Sequence, residues 1–335
     1  MSAARRAFVT GGSGLLGGAL VDRLRAGGTE VVALARSDAS ASALAARGAT
    51  ISRVDLLDEA GLARAMAGCD LVFHVAGVNT LCPGDRSLLH RVNGEAPAIV
   101  VRAAKAAGVG RVVHTSSAAV LGEAEGTVGD EETVHRGRFM STYEESKLAG
   151  ERAALAAGAA AGIDVVSVNP SSVQGPGRGG GTGKILLALL DGRLKVFIDT
   201  HISVVDMADC IEAHVLAAGR GKPGRRYVIS GATLTSEEAF ELLSRVGGVS
   251  VRPRIVPRPL AQAGAMLAEG GFRLARRTPP MCREMMRTML HGHRYDGSRA
   301  QRELGLRYTP VEDTLRRTLD WAVAEGLVED RRTAA

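Results

Sequence analysis

Tyr143 and Lys147 stand four residues apart in the run Ser141-Thr142-Tyr143-Glu144-Glu145-Ser146-Lys147-Leu148-Ala149. That spacing places both side chains on one face of a helix. An ammonium beside a phenol favours the phenolate, so the pKa of Tyr143 is expected to fall toward neutral pH. A phenol tuned this way gives a proton to a carbonyl oxygen or takes one from an alcohol. A second feature opens the chain: Thr10-Gly11-Gly12-Ser13-Gly14-Leu15-Leu16-Gly17. Apolar Ala7-Phe8-Val9 precedes it, and Leu15, Leu16, Ala19, Leu20 and Leu24 recur after it at helical spacing. The glycines therefore occupy a strand-to-helix turn. Such a turn lets the backbone approach a pyrophosphate closely and aims a helix N-terminus at it, as a dinucleotide site requires. The three-three glycine spacing differs from the two-three spacing of many dinucleotide turns, and an ordinary tight turn is the alternative.

Strands must alternate with helices to hold these groups. Glu30-Val31-Val32-Ala33-Leu34-Ala35, Thr50-Ile51-Ser52-Arg53-Val54, Asp70-Leu71-Val72-Phe73-His74-Val75, Arg111-Val112-Val113-His114-Thr115 and Asp164-Val165-Val166-Ser167-Val168 read as strands. The alanine-rich stretches 58–67 and 93–107 between them read as helices. The pattern predicts an α/β fold, a Rossmann-type doubly wound parallel sheet that binds ligand past its carboxyl ends. Residues 1–170 form the expected dinucleotide domain, and 171–330 a smaller lobe that returns segments to it. In that half 206–218, 298–304 and 311–324 read as helices, Tyr227-Val228-Ile229 as a strand, and 175–183 as a mobile glycine-rich loop. That loop is either a lid over ligand or a mere connector.

Taken together, these residues resemble an extended short-chain dehydrogenase/reductase of the NAD-dependent epimerase/dehydratase family. The Thr-Gly-x-x-Gly-x-x-Gly of residues 10–17 and the Tyr-x-x-x-Lys of Tyr143 and Lys147 carry the likeness. So do the strand ending in Thr115-Ser116-Ser117 and the run Asn169-Pro170-Ser171-Ser172-Val173-Gln174-Gly175-Pro176-Gly177. The last two look most like the dihydroflavonol-4-reductase-like branch. The likeness runs from Phe8 to about Trp321. It implies Ser117, Tyr143 and Lys147 as catalytic residues, with Ser116 and Thr115 competing for the hydroxyl role. It implies a cofactor site of Thr10, Gly11, Gly14, Leu15, Leu16, Gly17, Asp55, Leu56, Val75, Ala76, Gly77, Thr115, Tyr143, Lys147, Pro170, Ser172 and Val173. Asp55 would meet adenine, unless it caps the next helix. Asn93 would support the active-site helix, again with a cap as the alternative. His74 reads as packed. A homodimer through 93–107 and 141–161 is implied as well.

Cofactor choice turns on the end of the second strand. Leu34-Ala35-Arg36-Ser37 offers no carboxylate before Asp38, and an arginine there suits a 2′-phosphate. Arg36 therefore points to NADP, with NAD possible and a merely solvated arginine as the bland alternative. The implied activity is NADP-dependent reduction of a ketone or aldehyde of a small molecule. The alternatives are a nucleotide-sugar epimerase or dehydratase with held NAD, and a non-catalytic NADP-binding sensor. The first would need a diphosphate clamp, and 197–209 contains no Arg or Lys.

Composition excludes other classes. The 335 residues are 45% hydrophobic, ample for a core, and only 3% aromatic. The net charge of +6 is read as scattered, without a basic run interleaved with aromatics, so no nucleic-acid partner is expected. The apolar run Ile185-Leu186-Leu187-Ala188-Leu189-Leu190 is too short to span a bilayer, and no membrane partner is expected. Cys69, Cys82, Cys210 and Cys282 lie far apart without zinc spacing, so no metal is expected. Arg5 and Arg6 precede no signal-like apolar segment, and with the scattered cysteines this suggests reduced thiols and a cytoplasmic location.

Overall fold

The computed structural model describes residues 6–332 apart from 276, 278 and 280; Arg5 lies outside the described residues. Its first half alternates as the apolar periodicity requires: β1 (Arg6–Thr10), α1 (Leu15–Ala26), β2 (Glu30–Leu34), α2 (Asp38–Ala46), β3 (Thr50–Ser52), α3 (Glu59–Ala65) and β4 (Leu71–His74). A short α4 (Arg86–Leu89) passes through a π-helical turn, His90–Glu95, into α5 (Ala96–Ala106). Then come β5 (Arg111–Thr115), α6 (Thr142–Ala161) and β6 (Asp164–Pro170). The second half contains β7 (Ser172–Gln174), α7 (Thr182–Leu190), β8 (Val196–Phe197), β9 (His201–Asp206), α8 (Met207–Arg220) and β10 (Arg226–Ile229). It closes with β11 (Ala232–Thr235), α9 (Ser236–Gly247), β12 (Arg254–Ile255), α10 (Arg258–Leu274), α11 (Arg283–His291) and α12 (Val311–Ala324).

Seven strands form the central sheet in the order β10-β6-β5-β4-β1-β2-β3, every pair parallel. A parallel sheet is covered on both faces, and the two-residue alternation of each strand feeds two cores. Phe8, Val32, Val72, Val112 and Val165 pack on α3, α5 and α6. Ala7, Val9, Val31, Phe73, Val113 and Val166 face α1, α8 and residues 300–306. The C-terminal half thus returns α8 and β10 to the sheet. A separate core of Leu187, Phe197, Leu242, Met286, Leu290, Leu315 and Leu319 builds the second lobe. This is the Rossmann-type α/β class expected from the alternation.

Two expectations are corrected. The four cysteines are not all free thiols: Cys82 and Cys282 form a disulfide across a sequence separation of 200, and Cys69 and Cys210 remain buried thiols. Distance along the chain hid the pair, because folding alone lays the segment after β4 against the start of α11. The glycine run is also not loop throughout, since α7 begins at Thr182. A Cβ at Gly183 would sit 2.0 Å from the Arg178 carbonyl oxygen, so close packing demands this glycine.

Candidate active site

Glycine shapes the floor of the site. Gly11 has φ 72°, and a Cβ there would lie 2.5 Å from the Ala76 amide nitrogen. At Gly17 a Cβ would meet the Gly11 carbonyl oxygen at 2.2 Å. Only bare backbone lets β1, β4 and α1 meet so closely. No side chain caps α1, which starts after Gly14. Its N-terminus thus opens on the cleft, the environment an anionic phosphate favours. Thr10 is fully buried beneath the turn, where its hydroxyl bonds His74 Nδ1 at 2.8 Å and accepts from the Ala76 amide at 3.2 Å. It supports the site from behind.

One cleft of about 1960 Å³ lies past the carboxyl ends of the sheet. It gathers Gly11, Gly14, Leu15, Leu16, Gly17, Arg36, Asp55, Leu56, Val75, Ala76, Gly77, Thr115, Ser117, Tyr143, Lys147, Pro170, Ser172 and Val173. Of the residues singled out for cofactor or catalysis, Thr10 alone is missing from this wall. Asp58 caps α3 through the Gly61 amide at 2.9 Å, which leaves Asp55 on the cleft, holding the Leu57 amide at 2.8 Å. Asn93 caps no helix. From the π-helical turn it receives the Val78 amide at 2.8 Å and donates to the Val78 carbonyl at 3.0 Å and the Ser146 hydroxyl at 3.2 Å. It thereby ties α6 to the cleft wall. His74 is packed as expected, stacked on His114 with ring centroids 5.3 Å apart; burial holds its pKa down to about 3, so it is neutral.

α6 is anchored at its start from both lobes. Ser141 accepts from the Glu144 amide at 3.2 Å, and Glu284 of α11 accepts from the Thr142 amide at 2.8 Å. A carboxylate at a helix N-terminus is favourably placed. Lys147 Nζ donates to the Thr115 carbonyl at 2.7 Å. Burial pulls its pKa down to about 8, against the opposing charge of Glu151. Of the three hydroxyls, Thr115 turns to His214 at 2.8 Å, Ser116 is buried without a partner, and Ser117 bonds the Tyr143 phenol.

The tuning of Tyr143 differs from the sequence reading. Burial pushes the phenol above the ordinary tyrosine value, and the Ser117 hydrogen bond and Arg178 charge only partly oppose it. Arg178, not Lys147, is the cation that acts on the phenol, and Lys147 Nζ reaches the Thr115 carbonyl instead. Phenol, not phenolate, is therefore the resting form at neutral pH. Arg178 belongs to the segment 175–183 that the sequence presents only as a glycine-rich loop. Its half-buried guanidinium lines the cleft facing Tyr143, with Nε unpartnered. An arginine inside a glycine run just after Asn169-Pro170 was the available signal.

A second group also escaped the sequence. Glu123, His291 and His293 come together with ligand-type atoms within 4.8 Å of one another. His293 Nδ1 lies 2.6 Å from Glu123 Oε1, and His291 Nε2 3.2 Å from the Glu123 carbonyl. Burial opposes ionisation of Glu123, but the two imidazoles outweigh it and hold the carboxyl down to about 2. The group pins the segment carrying Tyr295, which lines the cleft.

At the end of β2, Arg36 is exposed on the cleft, while Asp38 is engaged by Arg53 at 2.6 Å. The residues present fit a dinucleotide: a close glycine turn, an uncapped helix N-terminus and an arginine at the second strand end. The far half of the cleft is apolar, walled by Leu186, Phe197, Phe240, Ala265, Met286 and Met289.

Comparison with known proteins agrees with this geometry. The model of the NAD dependent epimerase/dehydratase family matches residues 7–230. Sterol demethylase protein B of Methylococcus capsulatus is 32% identical over 96% of this chain and 99% of its own length. The 2-alkyl-3-oxoalkanoate reductase of Shewanella oneidensis is 31% identical over 89% of this chain and 81% of its own. The crystal structure of gox2253 superposes with a TM-score of 0.83 at 27% identity, covering 97% of this chain and 100% of that one. The chain is thus an enzyme of oxidoreductase type, and it belongs to the NAD-dependent epimerase/dehydratase family.

Proposed function

We propose that this oxidoreductase is an NADP-dependent reductase of a ketone or aldehyde carried on an apolar molecule. The observation that carries the reading is the Tyr143 phenol, kept protonated and bonded to Ser117, at the junction of the glycine turn and the apolar half of the cleft. When bound, the nicotinamide supplies the hydride for the carbonyl carbon. Ser117 donates a hydrogen bond to the carbonyl oxygen as charge develops there. Tyr143 transfers its proton to that oxygen, which leaves an alcohol product and a phenolate reprotonated from solvent. Lys147 stabilises the transient phenolate and holds the nicotinamide ribose. Arg36, without a competing carboxylate, selects the 2′-phosphate. Gly11, Gly14, Leu15, Leu16 and Gly17 take the pyrophosphate, Asp55 and Leu56 the adenosine, Val75, Ala76 and Gly77 the ribose side, and Pro170, Ser172 and Val173 the nicotinamide. Residues 1–170 with the returning α8 and β10 make the nucleotide lobe, and most of 171–330 the substrate lobe.

The reductase from Shewanella oneidensis is named for a 2-alkyl-3-oxoalkanoate, a ketone that carries alkyl chains beside its carboxylate, which supports a ketone on an alkyl-bearing molecule. The test is oxidation of NADPH with a panel of alkyl and alicyclic ketones, alongside assay of nucleotide released from denatured protein. Stoichiometric released NAD(H) with no turnover of the panel favours the epimerase alternative. A homodimer across α5 and α6 is part of the proposal and is read by sedimentation. A cytoplasmic location is also part of the proposal; there the Cys82–Cys282 disulfide faces reducing thiols, and thiol labelling in fresh lysate reads whether it is formed.

A further inference from the structure

α10 is built inside out for a helix on the surface of a soluble protein. Its inner side buries Ala261, Ala265 and Glu269, and Ala261 and Ala265 wall the apolar half of the cleft. Its outer side carries Leu260, Leu267 and Leu274 at seven-residue spacing, 64%, 78% and 88% exposed. Met266 and Phe272 extend the patch at 49% and 37%. Solvated helix faces ordinarily carry charge. Between 259 and 272 the one charged residue is Glu269, which is buried and paired with Arg273 at 2.6 Å. Contiguous exposed apolar surface of this kind marks a contact with something.

Charge names the occupant. Residues 252–287 contain eight arginines and two glutamates, and no lysine or aspartate. That surplus of six equals the net charge of the entire chain, so the rest of the protein is balanced. The arginines flank the apolar stripe: Arg252, Arg254 and Arg258 precede it, and Arg273 and Arg277 follow, all exposed. Arginines bordering an apolar helix face match the boundary of an anionic bilayer. A second copy of the chain would bring two such surpluses together, which like-charge repulsion disfavours.

We propose that α10, with the arginines at its ends, docks this protein peripherally on an anionic lipid bilayer, with the apolar half of the cleft turned toward the membrane. None of the described helices is long and apolar enough to cross a bilayer. The helix lies in the interface, about 25 Å long, with its leucines among the acyl chains. This departs from the sequence expectation of no membrane partner, which considered only spanning segments and judged the positive charge scattered. The docking stands independently of the carbonyl chemistry, although an apolar ligand dissolved in the bilayer would then have the inner face of the same helix as its threshold.

Flotation of the full chain with vesicles tests this. Binding is expected to phosphatidylcholine vesicles containing about a third phosphatidylglycerol, weaker binding to phosphatidylcholine alone, and release as salt rises. Leu260→Gln/Leu267→Gln/Leu274→Gln is expected to weaken partition at least about tenfold, because three largely exposed leucines lose their apolar burial in the bilayer. Its circular dichroism and melting profile should stay close to the parent's, since these side chains are mostly exposed. Arg254→Gln/Arg277→Gln should keep binding but lose the preference for anionic lipid. Failure of the parent protein to float with anionic vesicles overturns the proposal, as does undiminished flotation of the leucine variant. Self-association that the leucine variant abolishes, without vesicle binding by the parent, assigns the face to a second copy and overturns it as well.

Discussion

The pairing of Tyr143 with Lys147 was legible from their spacing, but how the phenol is tuned was not. Spacing predicted an ammonium against a phenol; folding sends that ammonium to the Thr115 carbonyl and brings Ser117 and Arg178 to the phenol instead. A phenol kept protonated suits donation to a carbonyl. Replacing Tyr143 with Phe is expected to cut turnover by about 10²-fold or more with cofactor affinity nearly unchanged. Near-normal turnover would remove the phenol from the mechanism. Arg36→Ala should weaken NADPH by about 1.5–3 kcal/mol and leave NADH alone, the value of a charge-assisted contact to phosphate. Equal loss for both cofactors, read by fluorescence titration, counts against phosphate recognition. Lys147 carries a pH signature. Its pKa falls from 10.5 to about 8 on folding, so between those values the unfolded chain holds more proton and stability rises with pH. Below pH 8 the cost of burying the charge is complete, about 3 kcal/mol. Lys147→Met should therefore be more stable than the parent at pH 7 by about 1–3 kcal/mol after losing one hydrogen bond, with the gain gone near pH 10.5. An unchanged or lower urea midpoint at pH 7 would show that no such cost exists.

Among the elements, α6 shows how tightly the site is held. A Cβ at Gly150 would lie 1.8 Å from the Asn93 carbonyl oxygen, so α6 and the π-helical turn touch backbone to backbone. That contact and the Asn93 bonds to Val78 and Ser146 explain why Asn93 is buried, where the sequence left a cap open. The segment 175–183 is the other element with a testable role. Gly175, Gly177 and Gly181 have positive φ, and a Cβ at Gly177 would lie 2.8 Å from a Leu15 methyl, beside the glycine turn. Arg178 projects from it toward Tyr143. If this segment closes over ligand, amide exchange across 175–183 should slow with NADPH and a carbonyl analogue bound together. Equal protection with and without ligand would make it a connector only.

Besides the polypeptide itself, one disulfide cross-links distant parts of the molecule. Cys82 lines the cleft on the side of β4, and Cys282 begins α11 in the second lobe. A cross-link over so long a loop restricts the unfolded chain strongly. Cys82→Ser/Cys282→Ser is expected to lose about 2–4 kcal/mol of stability in urea unfolding. A variant as stable as the oxidised parent would show that the link adds nothing. The same junction seats Glu284 on the start of α6, so α11 helps position the helix that carries Tyr143 and Lys147.

Sequence alone determined the alternation of strands and helices, the glycine turn, the Tyr143–Lys147 pair and the absence of a carboxylate before Asp38. Each is a local matter of periodicity, backbone permissiveness or residue type at a strand end. It did not determine the Cys82–Cys282 bond, the Glu123–His291–His293 group, the place of Arg178 or the capping of α6 by Glu284. Those join segments tens to hundreds of residues apart, and no local propensity records which distant surfaces will meet. The outward leucines of α10 lie between the two cases. Their seven-residue spacing is visible in the chain, but only the packed lobe shows that Ala261 and Ala265 face inward and leave Leu260, Leu267 and Leu274 uncovered.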